Sequence, residues 1–265
     1  MSSIRQSHSC QVPDFQEAVF APRAYDYALV IPVINEGTRI QSQLKRINDL
    51  RPARVDVVIA DGGSTDGSLA LPFLRSCNVR ALLTKTGSGK LSAQLRMAYA
   101  WCLDQGYAGV VTMDGNGKDN VDAIPAFVQH LQEGYDLVQG SRYRPGGRAV
   151  NTPLDRHLAG RFIHAPLISV AAGHWYTDTT NGFRAYSARL LQDPRLAIFR
   201  SLFDRYQLLF YLSVRAPRLG YRVCEIPVER HYPAKGSTPT KIAGWRGRLE
   251  MMSELMHAAL GRYNP

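Results

Sequence analysis

A chain of 265 residues, 45% of them apolar, can bury one good core or two small ones. It has no internal repeat or low-complexity tract, and no run of the roughly 18–20 apolar residues that a membrane helix needs; the most apolar windows, Leu208 to Val214 and Leu167 to Ala172, are far too short. The formal charge of +10 favours anionic partners, with nucleic acid, a membrane surface and phosphorylated small molecules all qualifying. The opening MSSIRQSHSC lacks the apolar centre of a secretory signal, and the four cysteines are scattered with no CxxC pair, so a cytoplasmic location with reduced thiols is expected and a disulfide framework or zinc site is not.

Residues 1–25 are polar, contain proline and show no period, so they read as an N-terminal extension. From Tyr27 the pattern becomes regular. Tyr27 to Ile34 is a continuous apolar run of the kind buried on both faces of a parallel sheet, and Ile40, Leu44, Ile47 and Leu50 follow at helical spacing. Arg54 to Asp61 is a second strand ending in the turn GGSTDGS. Leu69 to Ser76 fits a helix, VRALLT from Val79 a third strand, Ser92 to Gln105 a helix, and Gly109 to Asp114 a fourth strand. Asp122 to Gln132 is helical, and DLVQGSRY from Asp136 runs into a fifth strand. This alternation predicts an α/β fold, a Rossmann-like, mainly parallel sheet flanked by helices. After Arg144 the sequence turns polar, basic and turn-rich, as expected of a segment bordering a site. Phe203 to Arg215 is a further helix, YRVCEIPVER a strand, and residues 243–265 a helical tail with Trp245, Leu249, Met252, Met256 and Leu260 along one face. One domain over 26–242 with this amphipathic tail is the expected organisation.

Ligands of such sheets bind beyond the carboxyl ends of the strands. That edge collects Pro32 to Gly37, Asp61 to Ser68, Asp114 to Asn120 and Gly140 to Tyr143, all rich in polar residues or glycine. Asp114 and Asn116 are two apart just past a strand, so both oxygens can face one hard cation, Mg²⁺ or Mn²⁺, completed by substrate phosphates; an Asx turn closing the strand is an equal reading. Asp61 ends its strand at the ligand edge, suited to a ribose hydroxyl or a base N–H, whereas Ser64 to Ser68 reads as a turn with Asp66 capping the next helix. Gly87-Ser88-Gly89-Lys90 is not a Walker A loop, because Thr84 stands where its first glycine belongs and Leu91 follows the lysine; Lys90 can still meet a phosphate at a helix entry. Arg142, Arg144, Arg148, Arg156, Arg161, Arg184 and Lys241 form a basic set near the site, of which Arg148 and Arg161 read as solvated. No Ser–His–Asp or Cys–His arrangement stands out, and no nucleic-acid module is recognisable.

VIPVINEG, DGGSTDGS, GSGKLSAQLRMAY, TMDGN, QGSRY, DTTNGFRAYS and EIPVERHY together, in this order, resemble inverting family-2 glycosyltransferases of the GT-A fold, and most of all dolichol-phosphate mannose synthases and related polyprenyl-phosphate glycosyltransferases. The resemblance runs from about Tyr27 to Ile242. It implies a nucleotide-sugar donor (GDP-mannose or a UDP-sugar) held by Pro32, Glu36, Asp61, Gly63, Lys90, Asp114, Gly115 and Asn116, with Asp114 and Asn116 as ligands of Mg²⁺ or Mn²⁺. It places Arg142, Arg156, Arg184 and Lys241 on donor or acceptor phosphates, and the expected catalytic set is Asp114, Arg142 and Asp204. Where related synthases often carry a metal-binding glutamine, this chain has Lys118, which can share the cation's work. The implied acceptor is a lipid phosphate, which needs no strong base; transfer to a hydroxyl instead would call on Asp204 or Glu225. A non-catalytic sugar-nucleotide binder is the alternative of another class. A lipid acceptor also implies peripheral contact with the inner face of the membrane or with a membrane partner subunit, for which the tail helix is a candidate, although packing of that helix on the domain serves its apolar face equally well.

Overall fold

The computed structural model describes residues 10–50, 54–233 and 244–265. Lys241 lies outside them, and so do the side chains of Trp245, Arg246 and Arg248. The described residues form an eight-stranded sheet in the order β1-β4-β3-β2-β5-β8-β6-β9. β2 (Tyr27–Val33), β3 (Val55–Asp61), β4 (Val79–Lys85) and β5 (Gly109–Thr112) are its parallel centre. Their uninterrupted apolar runs are explained by two cores, one on each face. Leu29, Ile31 and Ile59 point to the side covered by α1 (Thr38–Asp49) and α4 (Ile124–Gln132), while Ala28, Val30 and Val58 point to the side covered by α3 (Leu91–Asp104) and α8 (Gln207–Arg218).

α3 is buried on almost every side, and its polar residues are matched to backbone. Gln94 donates to Val33 O and Ala60 O, both at 3.0 Å, joining two strand ends at the ligand edge. Two strands of the main sheet lie where the sequence pattern predicts none. β8 (Arg184–Ser187) runs antiparallel between β5 and β6 (Leu137–Ser141), so the sheet is mixed. Within the segment read as an extension, β1 (Phe15–Val19) pairs antiparallel with β4 at the sheet edge. Each has four or five residues, too few for a period to show.

The expected strand over YRVCEIPVER divides in two. β9 (Val223–Pro227) stays beside β6, after which the chain leaves the main sheet, and β10 (Glu229–His231) pairs with β7 (Arg148–Val150) in a small parallel sheet. The basic stretch after Arg144 thus becomes β7 followed by α5 (Leu154–Ala159), a π-helical turn over Gly160–His164 and α6 (Ala165–Ala172). The tail helix α9 (Gly244–Ala259) packs on the body: Leu255 and Ala258 enter a third cluster with Ile168 of α6 and Phe210 and Val214 of α8. No described helix is long and apolar enough to cross a membrane.

Trp101 of α3 is fully buried, and its indole N–H reaches Glu17 of β1 at 2.6 Å, tying the edge strand to the second core. Trp101→Ala is expected to lower unfolding free energy by about 3–5 kcal/mol. Chemical denaturation showing a loss below about 1 kcal/mol would contradict this packing.

Candidate active site

The loops that follow β2 and β3 are laced together at the ligand edge. Gly62 N donates to Val33 O at 2.8 Å, Asn35 N to Ser64 Oγ at 3.0 Å and Thr65 N to Asn35 Oδ1 at 2.8 Å. The Asp61 carboxylate is buried and accepts from Ser64 N at 2.9 Å, and Gly63 takes a left-handed φ of 92° to make the turn. Asp66 does not cap α2 (Leu71–Ser76); its carboxylate binds Gly37 N at 2.8 Å and the Ser68 hydroxyl at 2.7 Å, so it locks the two loops instead. Glu36 is buried and pairs with Arg39 at 2.8 Å. Gly115 lets the loop after β5 close on this pair, since a Cβ there would stand 3.1 Å from Pro32 O and 2.9 Å from Val33 Cγ2. Lys90 is exposed at the entry of α3, where its N–H binds Asp204 O at 3.0 Å; Asp204 packs so close to Gly89 that a Cβ on that glycine would meet its carboxylate.

At the centre stands Asp114. Its Oδ2 accepts from Arg230 Nη2 at 2.8 Å and from Asn116 Nδ2 at 3.3 Å. Arg230 Nη1 meets Asp119 Oδ2 at 2.6 Å, so one guanidinium bridges two carboxylates. Burial pushes the Asp119 carboxyl up against the pull of the Arg230 charge. Burial and then Arg230 hold the Lys118 ammonium below its ordinary value, and its Nζ lies 4.8 Å from the centre of the Tyr232 ring. Gln43 of α1 supports the loop, giving a hydrogen bond to Asp114 O at 3.0 Å and taking one from Gly117 N at 2.9 Å. Behind Asp114, Gly182 of the NGF turn approaches so closely that a Cβ would sit 2.6 Å from Asp114 Oδ1.

A cavity of about 440 Å³ lies between α1 and the 116–119 turn, with Arg39, Lys118 and Tyr232 in its wall. Tyr232 also lines a larger cavity of about 580 Å³ between α5, α8 and α9. Its wall brings Arg142, Arg156, Arg184 and Arg230, together with Asp155, among the apolar side chains of Ile163, Leu209, Phe210, Met251 and Met252. The structure thus gathers the three described members of the expected phosphate set, but it does not leave them equally available. Arg142 forks onto Asp178 at 2.7 and 2.9 Å and also reaches Thr180 Oγ1 at 2.6 Å. Arg184 is fully buried, with its donors on Asn181 O (3.0 Å), Leu209 O (2.9 Å), Thr179 O (2.7 Å) and Ser213 Oγ (2.9 Å). Its place is structural, which corrects the expectation that it faces a phosphate: all three guanidinium nitrogens are already engaged inside the protein. Arg156 is half-buried in the cavity wall. Glu225 is likewise withdrawn as a candidate base, since its carboxylate accepts from Thr177 N (2.9 Å), Thr177 Oγ1 (2.7 Å) and Asp178 N (3.0 Å).

A family model for glycosyl transferase family 2 matches residues 28–200, a span holding both donor loops, Asp114 and Arg142. The chain belongs to glycosyl transferase family 2. Its relatives include an undecaprenyl-phosphate mannosyltransferase of Micrococcus luteus, 30% identical over 201 residues, covering 75% of this chain and 81% of the relative. A polyprenol monophosphomannose synthase of Mycolicibacterium smegmatis is 28% identical over 237 residues (84% and 88% of the two chains). Among solved structures, glucosyl-3-phosphoglycerate synthase of Mycobacterium tuberculosis, in complex with Mn²⁺, UDP and phosphoglyceric acid, superposes with a TM-score of 0.63 at 20% identity, covering 89% of this chain and 78% of that one. That likeness shows the GT-A fold. The chain is therefore a glycosyltransferase built on a mostly parallel, mixed α/β sheet.

Asp114 and Asn116 lie together, but Asn116 turns its amide nitrogen to Asp114 and its oxygen accepts from Lys118 N at 3.3 Å, the Asx turn that the sequence offers as the other reading. No group of three His, Cys, Asp or Glu side chains gathers among the described residues. Arg230 and Asn116 both bond Asp114 Oδ2, so a hard cation such as Mg²⁺ or Mn²⁺, completed by diphosphate oxygens, would fit at Oδ1, with the Asn116 oxygen joining only if its amide turns. Arg230, Gln43 and Asp178 were not singled out in the sequence. Arg230 had a signal: Val228, Arg230 and Tyr232 are buried and alternate with more exposed neighbours, so a charged residue lies on the inner face of a strand and requires carboxylate partners.

Arg184→Met would leave several buried acceptors without a donor and is expected to destabilise the fold by at least about 3 kcal/mol. A melting curve equal to that of the wild type would return Arg184 to the list of available phosphate ligands.

Proposed function

We propose that this glycosyltransferase moves a hexose from a nucleoside-diphosphate sugar, with inversion, onto the phosphate of a polyprenyl phosphate. The observation that carries this reading is the larger cavity: arginines, among them Arg156 and the Arg230 bonded to Asp114, share its wall with apolar side chains and suit one amphiphile, a phosphate monoester on a hydrocarbon chain. The names of the Micrococcus and Mycolicibacterium relatives support the same acceptor class.

In this reading Pro32, Glu36, Asp61 and Gly63 receive the nucleoside, while Lys90, Gly115 and Lys118 border the diphosphate. Asp114 and Asn116 would hold Mg²⁺ or Mn²⁺, whose chemistry is to neutralise the leaving diphosphate. A phosphate oxygen of the acceptor attacks the anomeric carbon from the face opposite the diphosphate. The new C–O bond forms as the old one breaks, the electron pair leaves with the nucleoside diphosphate, and no proton need be removed. The residues then act through alignment and preorganised charge: Arg156 orients the acceptor phosphate, Arg142 and its Asp178 partner fix the cavity wall, and Lys118 and Arg230 sit where negative charge builds. Transfer to a hydroxyl would need a base. With Glu225 engaged by the 177–178 backbone, Asp204 is the candidate left for that role. A lipid acceptor also requires peripheral contact with a membrane.

Asp114→Ala is expected to fold normally and lose at least about a hundredfold in kcat, with a smaller change in donor affinity; near-normal turnover by a folded variant would remove the assignment. Arg156→Met should raise KM for a polyprenyl phosphate about tenfold while leaving donor KM unchanged, the size of one charge-assisted hydrogen bond. Steady-state kinetics with each substrate varied separately checks this, and a change confined to the donor would reverse the assignment of the cavity.

A further inference from the structure

The segment that carries Lys118 is held along both edges. Gly117 N donates to Gln43 Oε1 at 2.9 Å, and Lys118 N to Asn116 Oδ1 at 3.3 Å. On the other side His231 N donates to Lys118 O at 2.8 Å, Asn120 N to Glu229 O at 3.1 Å and Glu229 N to Asn120 Oδ1 at 3.0 Å. Asp119 and Arg230 pair as an isolated bridge between the two segments. Lys118 itself is only 6% exposed, so its ammonium is a cation fixed on a stiff loop rather than a solvated surface charge.

The surroundings carry an excess of positive charge. Arg230, Arg156 and Asp114 are the charged groups that act on Lys118. Arg230 is shared between Asp114 and Asp119, so Lys118, Arg156 and Arg230 make three cations against two carboxylates. Other arginines nearby are balanced one for one, Arg142 by Asp178 and Arg39 by Glu36. An anion that enters beside Lys118 therefore corrects an imbalance. The cavity of about 440 Å³ gives it room, and Thr38, Ser42, Asn116 and Gly117 share that wall with Lys118.

A divalent ion has less to gain at the same place. Asp114 Oδ2 is already taken by Arg230 and Asn116, and Oδ1 lies against Gly182, where a Cβ would stand 2.6 Å away. An ion at Oδ1 would also be repelled by Arg230 and Lys118, so it gains less from Asp114 than from a pair of carboxylates.

We infer that Lys118 is a built-in counter-ion for the donor's diphosphate, so that a nucleoside diphosphate binds this enzyme without a divalent ion. Any such ion then contributes to turnover rather than to donor affinity. This rests on the donor-site reading above, in which Lys118 borders the diphosphate.

GDP and UDP are each titrated into wild type, K118Q and K118R by isothermal calorimetry, once in EDTA and once in Mn²⁺. For the nucleotide that binds, the wild-type Kd in EDTA is expected within about threefold of that in Mn²⁺. K118Q should bind at least about tenfold more weakly in EDTA, the size of one charge-assisted hydrogen bond, and recover most of the loss in Mn²⁺. K118R keeps the charge and should stay within about threefold of wild type in EDTA. Wild-type binding that requires Mn²⁺ overturns the inference and leaves the donor site standing; this comparison needs no variant and holds even if K118Q fails to fold. K118Q binding as tightly as wild type in EDTA overturns it too. So does K118R binding as weakly as K118Q, which would assign the loss to packing on Tyr232 rather than to charge. Binding of neither nucleotide under either condition overturns the donor-site reading, and the inference with it.

Discussion

The guanidinium of Arg230 joins two parts of the molecule that chemistry needs together. It bonds Asp114 at 2.8 Å and Asp119 at 2.6 Å, so the loop after β5 is fixed to β10. β10 is paired with β7, from which the chain passes into α5 and the wall of the larger cavity. Without that bridge Asp119 would be a buried carboxylate lacking a counter-charge, a strongly destabilising state. With it, two carboxylates face two cations, Arg230 and Lys118. In the proposed reading a diphosphate entering beside Lys118 would meet charges already in place, leaving little reorganisation for the moment of bond breaking.

The support around this bridge is mostly backbone held by side chains. Gln43 holds the loop that carries Asp114, Gln94 holds the ends of β2 and β3, and Glu225 holds residues 177–178, from which Asp178 fixes Arg142. Glycine decides how close these loops come. At Gly115 and Gly182 any side chain would push into Pro32 or Asp114. Binding edge and cavity thus follow from the same set of close approaches.

The central strands and the helices between them were legible in the sequence, because strands buried on both faces leave long apolar runs. Asp61, Asp114 and Asn116 were legible for a related reason: a polar residue directly after such a run can only lie at the ligand edge. β1, β7 and β8 are not, since strands of three to five residues without an apolar run to mark them carry no measurable period, and β10 is hidden within the end of the strand expected over YRVCEIPVER. Among the arginines, sequence identifies cations near a site but not their partners. Arg184 resembles Arg156 in sequence but holds the protein's own carbonyls, while Arg230, the centre of the arrangement, lies inside the EIPVERHY motif with no cue to its two carboxylates. The tail helix shows the same limit. Its apolar period was visible, but Leu255 and Ala258 are what it buries, while Leu249, Met256 and Leu260 of the expected face stay exposed.

The central claim is that the arginines in the cavity wall select a phosphate as acceptor and its apolar side chains accept the chain attached to it. The most direct measurement offers the enzyme a polyprenyl phosphate and the polyprenol of identical chain length, each with the same nucleotide-sugar donor, and follows sugar in the lipid product. Transfer to the phosphate with none detectable to the alcohol is the predicted result. Equal transfer to the alcohol, or transfer to a soluble sugar hydroxyl in preference to either lipid, would contradict the account.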